Sequence, residues 1–335
     1  MLSKITRISL LLILYPVFIV SAQKYVNMAG HKTSVYLNGI YGEKKTVFED
    51  KTIRFLDAIN MAYKTHQRPV FPPGIVSEEA GSIIEKLWRV SPFLSVSTEI
   101  VENAVIVEGG DYEIRNIQVV FDESKPGYEQ QDAVIFLDPS GKIVDFKIAL
   151  GYHSIASILK DTISVTDLRR RQMIISFVED FRTAYNLRDT AYLNKMFSDK
   201  ALIITGKILY KTIESEMKPI VEYRKQTKVQ YLSNLAVLFR RVRILDVRFD
   251  SVIVVSHPTN VNLYGVTLTQ TWNSEYFSGG KYNDTGYVFL IIDFTNEQNP
   301  KIWVRTWQDK KYIEADHGIF SFDHFSISNS PSQQK

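Results

Sequence analysis

Apolar residues recur at helical spacing twice along the chain, and each time strand-like runs follow. In the first copy Phe55, Leu56, Ile59, Ala62 and Tyr63 form one stripe and predict a helix over 51–64. In the second, Ile174, Phe177, Val178, Phe181, Ala184 and Tyr185 predict a longer helix over 166–187, with Thr166 or Asp167 positioned to cap its free amides. The two helices are spelled alike: Phe55 to Tyr63 aligns with Phe177 to Tyr185, and both end in Ala-Tyr. Each copy closes on a hairpin. The first runs 133–137, turns at Asp138-Pro-Ser-Gly141 and returns over 142–148, with proline and glycine where a type I turn takes them. The second runs 287–292, turns through 295–300 and returns over 301–308. Further strands are expected at 112–121 and 263–272, and a shorter one at 34–41.

Helix, second helix, then several antiparallel strands, twice, predicts an α+β protein of two related domains with helices packed on one face of each sheet. The expected division is a signal peptide at 1–22, a leader at 23–48, a first domain at 49–151, a connector at 152–165 with a short helix over 155–159, a second domain at 166–312 and a polar tail at 313–335. Within the tail, 318–325 is expected as an edge strand and 328–335 as disordered.

The amino terminus reads as an export signal. Lys4 and Arg7 precede an uncharged apolar run over 8–20, and Val20-Ser-Ala22 supplies small side chains for cleavage before Gln23. The run is shorter than the roughly 20 residues of a membrane-spanning helix. No cysteine occurs among the 335 residues, which excludes disulfides, thiolate ligands, cysteine nucleophiles and a lipid-bearing cysteine. An exported chain without disulfides points to a bacterial periplasmic or secreted protein. The net charge of +3 leaves no surplus that calls for nucleic acid. Hydrophobic residues at 45% and aromatics at 12% suffice for packed cores.

The stretch Thr183 to Asp189, followed by Tyr192 to Ile203, resembles the start of a nuclear transport factor 2-like domain, the superfamily of ketosteroid isomerases and polyketide cyclases. The resemblance covers 166–308 well and 51–151 weakly. It implies a curved antiparallel sheet wrapped by helices into a cone with an internal pocket, hence two cone-shaped domains. The superfamily holds enzymes, ligand binders and interaction modules, so fold says little about activity. The resemblance places the isomerases' oxyanion-donating tyrosine at Phe181 and their general base at Thr205. Phenylalanine donates no hydrogen bond and threonine is no base near neutral pH, which speaks against isomerase chemistry. Asp189 is expected to cap the next helix near Tyr192.

The candidates for a ligand pocket are Tyr185, Trp272, Asp293, Trp303, Arg305 and Trp307, an aromatic set with few polar groups. Simple alternation places Trp303, Arg305 and Trp307 on one side of their strand, and Asp293 on the opposite face from Arg305. The competing interpretation is a strand end plus an aromatic core patch. The Thr267, Thr269 and Thr271 row is expected to face solvent. Asp316-His317 and Asp323-His324 are read as solvated tail rather than metal ligands, and no metal or cofactor is called for. The clusters Arg169 to Arg171 and Arg240 to Arg243 read as solvated faces, although positive charge opening a helix invites an acidic partner from elsewhere. The functional expectation is an exported, non-catalytic protein that binds a protein partner or a small apolar ligand, with no membrane span after cleavage and homo-oligomerisation left open. The alternatives are a periplasmic hydratase or cyclase using a second-domain pocket, and a structural subunit of an envelope assembly.

Overall fold

The structure, a computed structural model, describes residues 32–107, 109–121, 130–160, 165, 167–213, 216–311 and 318–325, with backbone alone at 207–213 and 216–220. The export signal, the Asp316-His317 pair and the final residues 328–335 lie outside this set.

The first unit comprises β1 (Ser34–Asn38), α1 (Gly42–Thr65), α2 (Glu78–Val90), β2 (Phe93–Ser95), β3 (Glu99–Asn103), β4 (Val105–Ile106), β5 (Tyr112–Phe121), β6 (Gln131–Leu137) and β7 (Ile143–Ile148). Strands β2, β5, β6 and β7 form an antiparallel sheet in that order, with β4 beside β5, while β1 pairs with β3 in parallel. Helix α1 starts nine residues earlier than its apolar stripe suggests, at Gly42 rather than residue 51. Its opening is charged, and Tyr41 at the N-cap makes no side-chain hydrogen bond, so the usual start signals are missing. Phe48 and Thr52 nevertheless extend the buried stripe of Phe55, Leu56, Ile59 and Ala62. The segment expected as a leader is part of this unit, because Val35, Leu37 and Ile40 are buried in its core. Gly141 closes the β6–β7 turn at φ +81°, and a Cβ there would meet the Phe48 ring at 2.8 Å. Glycine is thus required both by the turn and by the helix packed against it.

The second unit comprises α3 (Tyr152–Lys160), α4 (Leu168–Asn186), α5 (Thr190–Met196), β8 (Phe197–Ile213), β9 (Glu216–Thr227), α6 (Lys228–Arg241), β10 (Val242–Ser256), β11 (Leu263–Tyr276), β12 (Lys281–Asp293), β13 (Lys301–Arg305) and β14 (Gln308–Asp309). Its sheet runs β10-β11-β12-β13-β8-β9, with β14 beside β12. All pairs are antiparallel except β13 with β8. That exception needs a long crossover, which the β9 to β12 excursion supplies. Asp167 accepts from the Arg169 amide at the start of α4, and Asp189 accepts from the Tyr192 amide at 2.8 Å to cap α5. The expected connector belongs to this unit: Ile155, Ile158 and Val165 are buried in its core.

The tail segment 318–325 packs back, but as a turn with a 3₁₀ piece at Phe322–His324 rather than a strand. Phe320, Phe322 and Phe325 lie on the outer sheet face against Phe289, Ile291 and Val304, and the Gln308 side chain ties the backbone of Gly318 and Phe320. Side-chain anchoring with no strand to pair explains the irregular backbone.

Helix α4 is buried on two sides. Its apolar side, with Val178, Phe181 and Tyr185, fills the second unit's core. Its polar side, with Glu179 (0% exposed), Arg182 and Asn186, meets the first unit. Arg115 of β5 grips Glu179 through both nitrogens, at 2.7 and 3.1 Å, and the Leu150 amide donates to the same carboxylate at 2.9 Å. Arg182 donates to the Ala149 carbonyl at 2.6 Å, to the Val247 carbonyl at 3.1 Å and to Gln131, so one guanidinium joins both units. Asn186 brackets Val247, donating to its carbonyl at 2.9 Å and accepting from its amide at 2.8 Å. Replacing Glu179 with alanine leaves Arg115 charged, largely shielded from water and with Glu113 as its remaining carboxylate. The expected loss is about 3–5 kcal/mol of folding stability, read by urea denaturation of the whole chain.

Candidate functional site

Between α6 and the concave face of the second sheet lies a cavity of about 310 Å³. Its walls follow from strand alternation. On β11 the even-numbered residues Val266, Leu268, Gln270 and Trp272 turn inward with Tyr276, and on β12 Val288, Leu290 and Ile292 turn inward with Asp284 in phase behind them. The cross-strand register sets Trp272 opposite Asp284 and Gln270 opposite Gly286. Tyr231 and Leu235 of α6 close the roof. That helix is held by a reciprocal capping box between Thr227 and Gln230.

Trp307 forms another wall, and two glycines make room for it. A Cβ on Gly286 would lie 2.5 Å from the indole nitrogen, and one on Gly206 would lie 2.7 Å from the indole ring. Neither glycine has a positive φ, so close approach of the indole, not backbone conformation, explains both.

Polar groups sit at two depths. Deep in the cavity Arg305 is 3% exposed, donates to Gln270 Oε1 at 3.2 Å and lies 5.2 Å from the centre of the Tyr231 ring. The Tyr185 and Tyr231 hydroxyls meet at 2.5 Å, and Tyr185 also bonds to Arg305. Burial pushes the Tyr185 phenol well above its ordinary pKa, so it serves as a neutral hydrogen-bonding group and not as a base. Nearer the surface, Asp284 accepts from the Tyr282 hydroxyl at 3.1 Å. Burial, with a contribution from the charge of Asp309, pushes its carboxyl up to about 6 against the opposing pull of the Tyr282 hydrogen bond, the Thr285 amide and Arg305. A carboxyl with that pKa exchanges its proton near neutral pH.

Of the residues singled out in the sequence, Trp272, Arg305 and Trp307 line this cavity, and Tyr185 stands directly behind it, fully buried. Asp293 does not reach it: it pairs with Lys301 at the hairpin end, and its carboxylate accepts from the Thr295 amide at 2.8 Å. Trp303 is also outside. The register slips between Ile291 and Ile292, so that Ile302 faces Ile292, Arg305 faces Leu290, and Trp303 is left as the extra, half-buried residue of a bulge. Simple alternation could not foresee that slip. Asp284, Tyr282 and Tyr231 were not among the sequence candidates. Asp284 falls in the polar stretch Lys281 to Gly286, although its even spacing ahead of Val288 and Leu290 marks the inward face. The positions that the resemblance assigned to isomerase chemistry hold Phe181, packed against Tyr185, Phe197 and Phe249, and Thr205, whose hydroxyl accepts from Gln226 at 2.8 Å.

A larger groove of about 880 Å³ runs between the two units. Several of its charges are matched: Lys147 pairs with Asp180 at 2.7 Å and Asp145 at 3.4 Å, and Arg169 pairs with Glu297 at 2.7 Å. Arg170 shares Glu297 at 2.5 Å, and Arg170 and Arg171 are buried, so the basic cluster that opens α4 is not a solvated face and does have its acidic partner. The groove is a seam between units, and the smaller cavity, with a buried guanidinium that has no ion-pair partner among the described residues, is the candidate site. No group of three metal-ligating side chains occurs among the described residues, and no helix among them is long and apolar enough to cross a membrane.

No family model matches the chain, and no curated protein does. Several solved structures are similar to part of it. Bd1075 of Bdellovibrio bacteriovorus aligns at 15% identity over 42% of this chain and 41% of its own, with a TM-score of 0.32. A nuclear transport factor 2-like protein of Cytophaga hutchinsonii aligns at 15% identity over 42% of this chain and 98% of its own, TM-score 0.32. A nuclear transport factor 2-like superfamily protein of Salmonella enterica aligns at 10% identity over 41% and 89%, TM-score 0.32. This chain thus spans less than half of the Bdellovibrio protein. At such identities and scores these likenesses carry nothing about activity. The second unit itself combines a curled sheet with helices that close a pocket against its concave face.

The site yields two expectations. The Asp284 carboxyl has a raised pKa in the folded protein, so it favours folding when protonated and that contribution is lost as pH rises from about 4 through about 6. Asp284→Asn should therefore stabilise the protein near neutral pH by about 1–2 kcal/mol after solvent screening, and should change nothing below about pH 4, in thermal melts across that range. Trp307→Ala should cost about 3–5 kcal/mol, because the indole is both pocket wall and buried core. Trp303→Ala, at the half-buried bulge, should cost less in the same denaturation assay.

Proposed function

We propose that this is an exported bacterial protein of two tandem nuclear transport factor 2-like units whose second unit holds a small ligand in its cone, with the first unit buttressing it. The carrying observation is the open cavity with aromatic walls and a buried guanidinium at its base. A filled cone would leave no room for a ligand, and a cavity lined only by apolar groups would give one no orientation. Export rests on the amino-terminal charge and apolar pattern, and the bacterial source on the absence of cysteine from such an exported chain. Binding rather than isomerisation is supported by Phe181 and Thr205 at the positions where the resemblance would put the reacting groups.

The second reading is a hydratase- or cyclase-type enzyme, favoured by one observation: Asp284 titrates close to neutral pH at the mouth of the same cavity. Native mass spectrometry of the protein purified from its own host's periplasm tests the proposal. A single small molecule retained at fixed stoichiometry is the expected result. A bare chain at every concentration, or its recovery from the cytoplasm with residues 1–22 intact, would count against it.

A further inference from the structure

The buried arginines of this protein differ in how their charge is matched. Partly buried Arg115 has the Glu179 and Glu113 carboxylates, Arg170 has Glu297, and Arg171 donates to the Leu159 carbonyl. Arg182 is held by two backbone carbonyls and the Gln131 side chain. Arg305 has a neutral amide at 3.2 Å and a phenol, its Nε is buried without a hydrogen-bond partner, and among the described residues no carboxylate contacts it, the Asp284 carboxylate acting on it only from a distance across the cavity. A guanidinium so placed is costly unless an anion reaches it.

From this we infer that the cone's ligand is a planar, conjugated carboxylate, bound with its carboxylate on Arg305 and its ring between Trp272 and Trp307. The inference rests on the binding role proposed above and names its ligand class. The guanidinium fork matches a carboxylate's two oxygens. A second donor stands beside it. Tyr185 bonds to Arg305 and to Tyr231, and Tyr231 lines the cavity, so with Tyr185 donating to it the Tyr231 hydroxyl keeps a proton to offer the ligand. The indoles, one of them fitted against Gly206 and Gly286, provide flat walls for a ring. Charge sets the direction of entry: the cation is at the base, and the Asp284 carboxylate near the mouth repels an anionic group left there.

Calorimetric titration of the full chain with cinnamate and with its neutral amide, cinnamamide, tests this. Cinnamate should bind at least about tenfold more tightly than the amide, and Arg305→Gln should bring cinnamate down to the amide's level. Equal affinities in the wild-type protein would overturn the inference, whether or not the variant folds. So would displacement of cinnamate by equimolar inorganic phosphate, which would mark a site for a tetrahedral anion. Should a neutral molecule copurify while cinnamate fails to bind, the carboxylate assignment falls and the binding role stands. Should neither probe bind and nothing copurify, both fall.

Discussion

Glu179 has no exposed surface, and the fold is arranged around that fact. A carboxylate this deep is tolerable only with charged and hydrogen-bonded partners, and those come from Arg115 across the boundary between units and from the Leu150 amide in the second unit's own core. The first unit therefore completes the polar side of a helix whose other side builds the second unit's core. One turn on, Arg182 binds carbonyls of Ala149 and Val247, and Asn186 locks Val247 in β10. The helix is thus fixed on its polar side while its apolar side packs on the sheet, and Tyr185, at the end of that apolar side, is set behind the cavity.

The cavity in turn depends on two local irregularities. The bulge at Trp303 rotates β13 so that Ile302 and Arg305 both point inward, which a regular strand could not do with residues three apart. The missing side chains at Gly206 and Gly286 admit Trp307 as a wall. Together they place a cation at the base of an aromatic slot. The seam between units differs: there Lys147 pairs with Asp180 across it and with Asp145 on its own strand, and Arg169 pairs with Glu297 within the second unit.

Much of the fold was legible from periodicity. The α4 stripe, the Asp189 cap and the β6–β7 turn follow from short-range chemistry that a sequence displays directly. What was hidden was long-range or irregular. The Arg115–Glu179 pair joins residues 64 apart, and nothing in either neighbourhood announces it. The start of α1 lacked a capping side chain, and the bulge at Trp303 depends on how β12 and β13 meet. Asp284 lies in the polar stretch Lys281 to Gly286, whose composition hides the inward phase of β12 that passes through it. The pocket candidates split accordingly: Trp272 on regular β11 lines the cavity together with Arg305 and Trp307, while Trp303 at the bulge and Asp293 at the hairpin end do not.

If α4 belongs equally to both units, they should open together. Hydrogen exchange of the wild-type chain in increasing denaturant measures this directly. The slowest amides of β7, α4 and β11 should show one common opening free energy that falls with one slope. Opening of β7 at clearly lower denaturant, with α4 and β11 still protected, would contradict the account and make the first unit an accessory to a cone that stands without it.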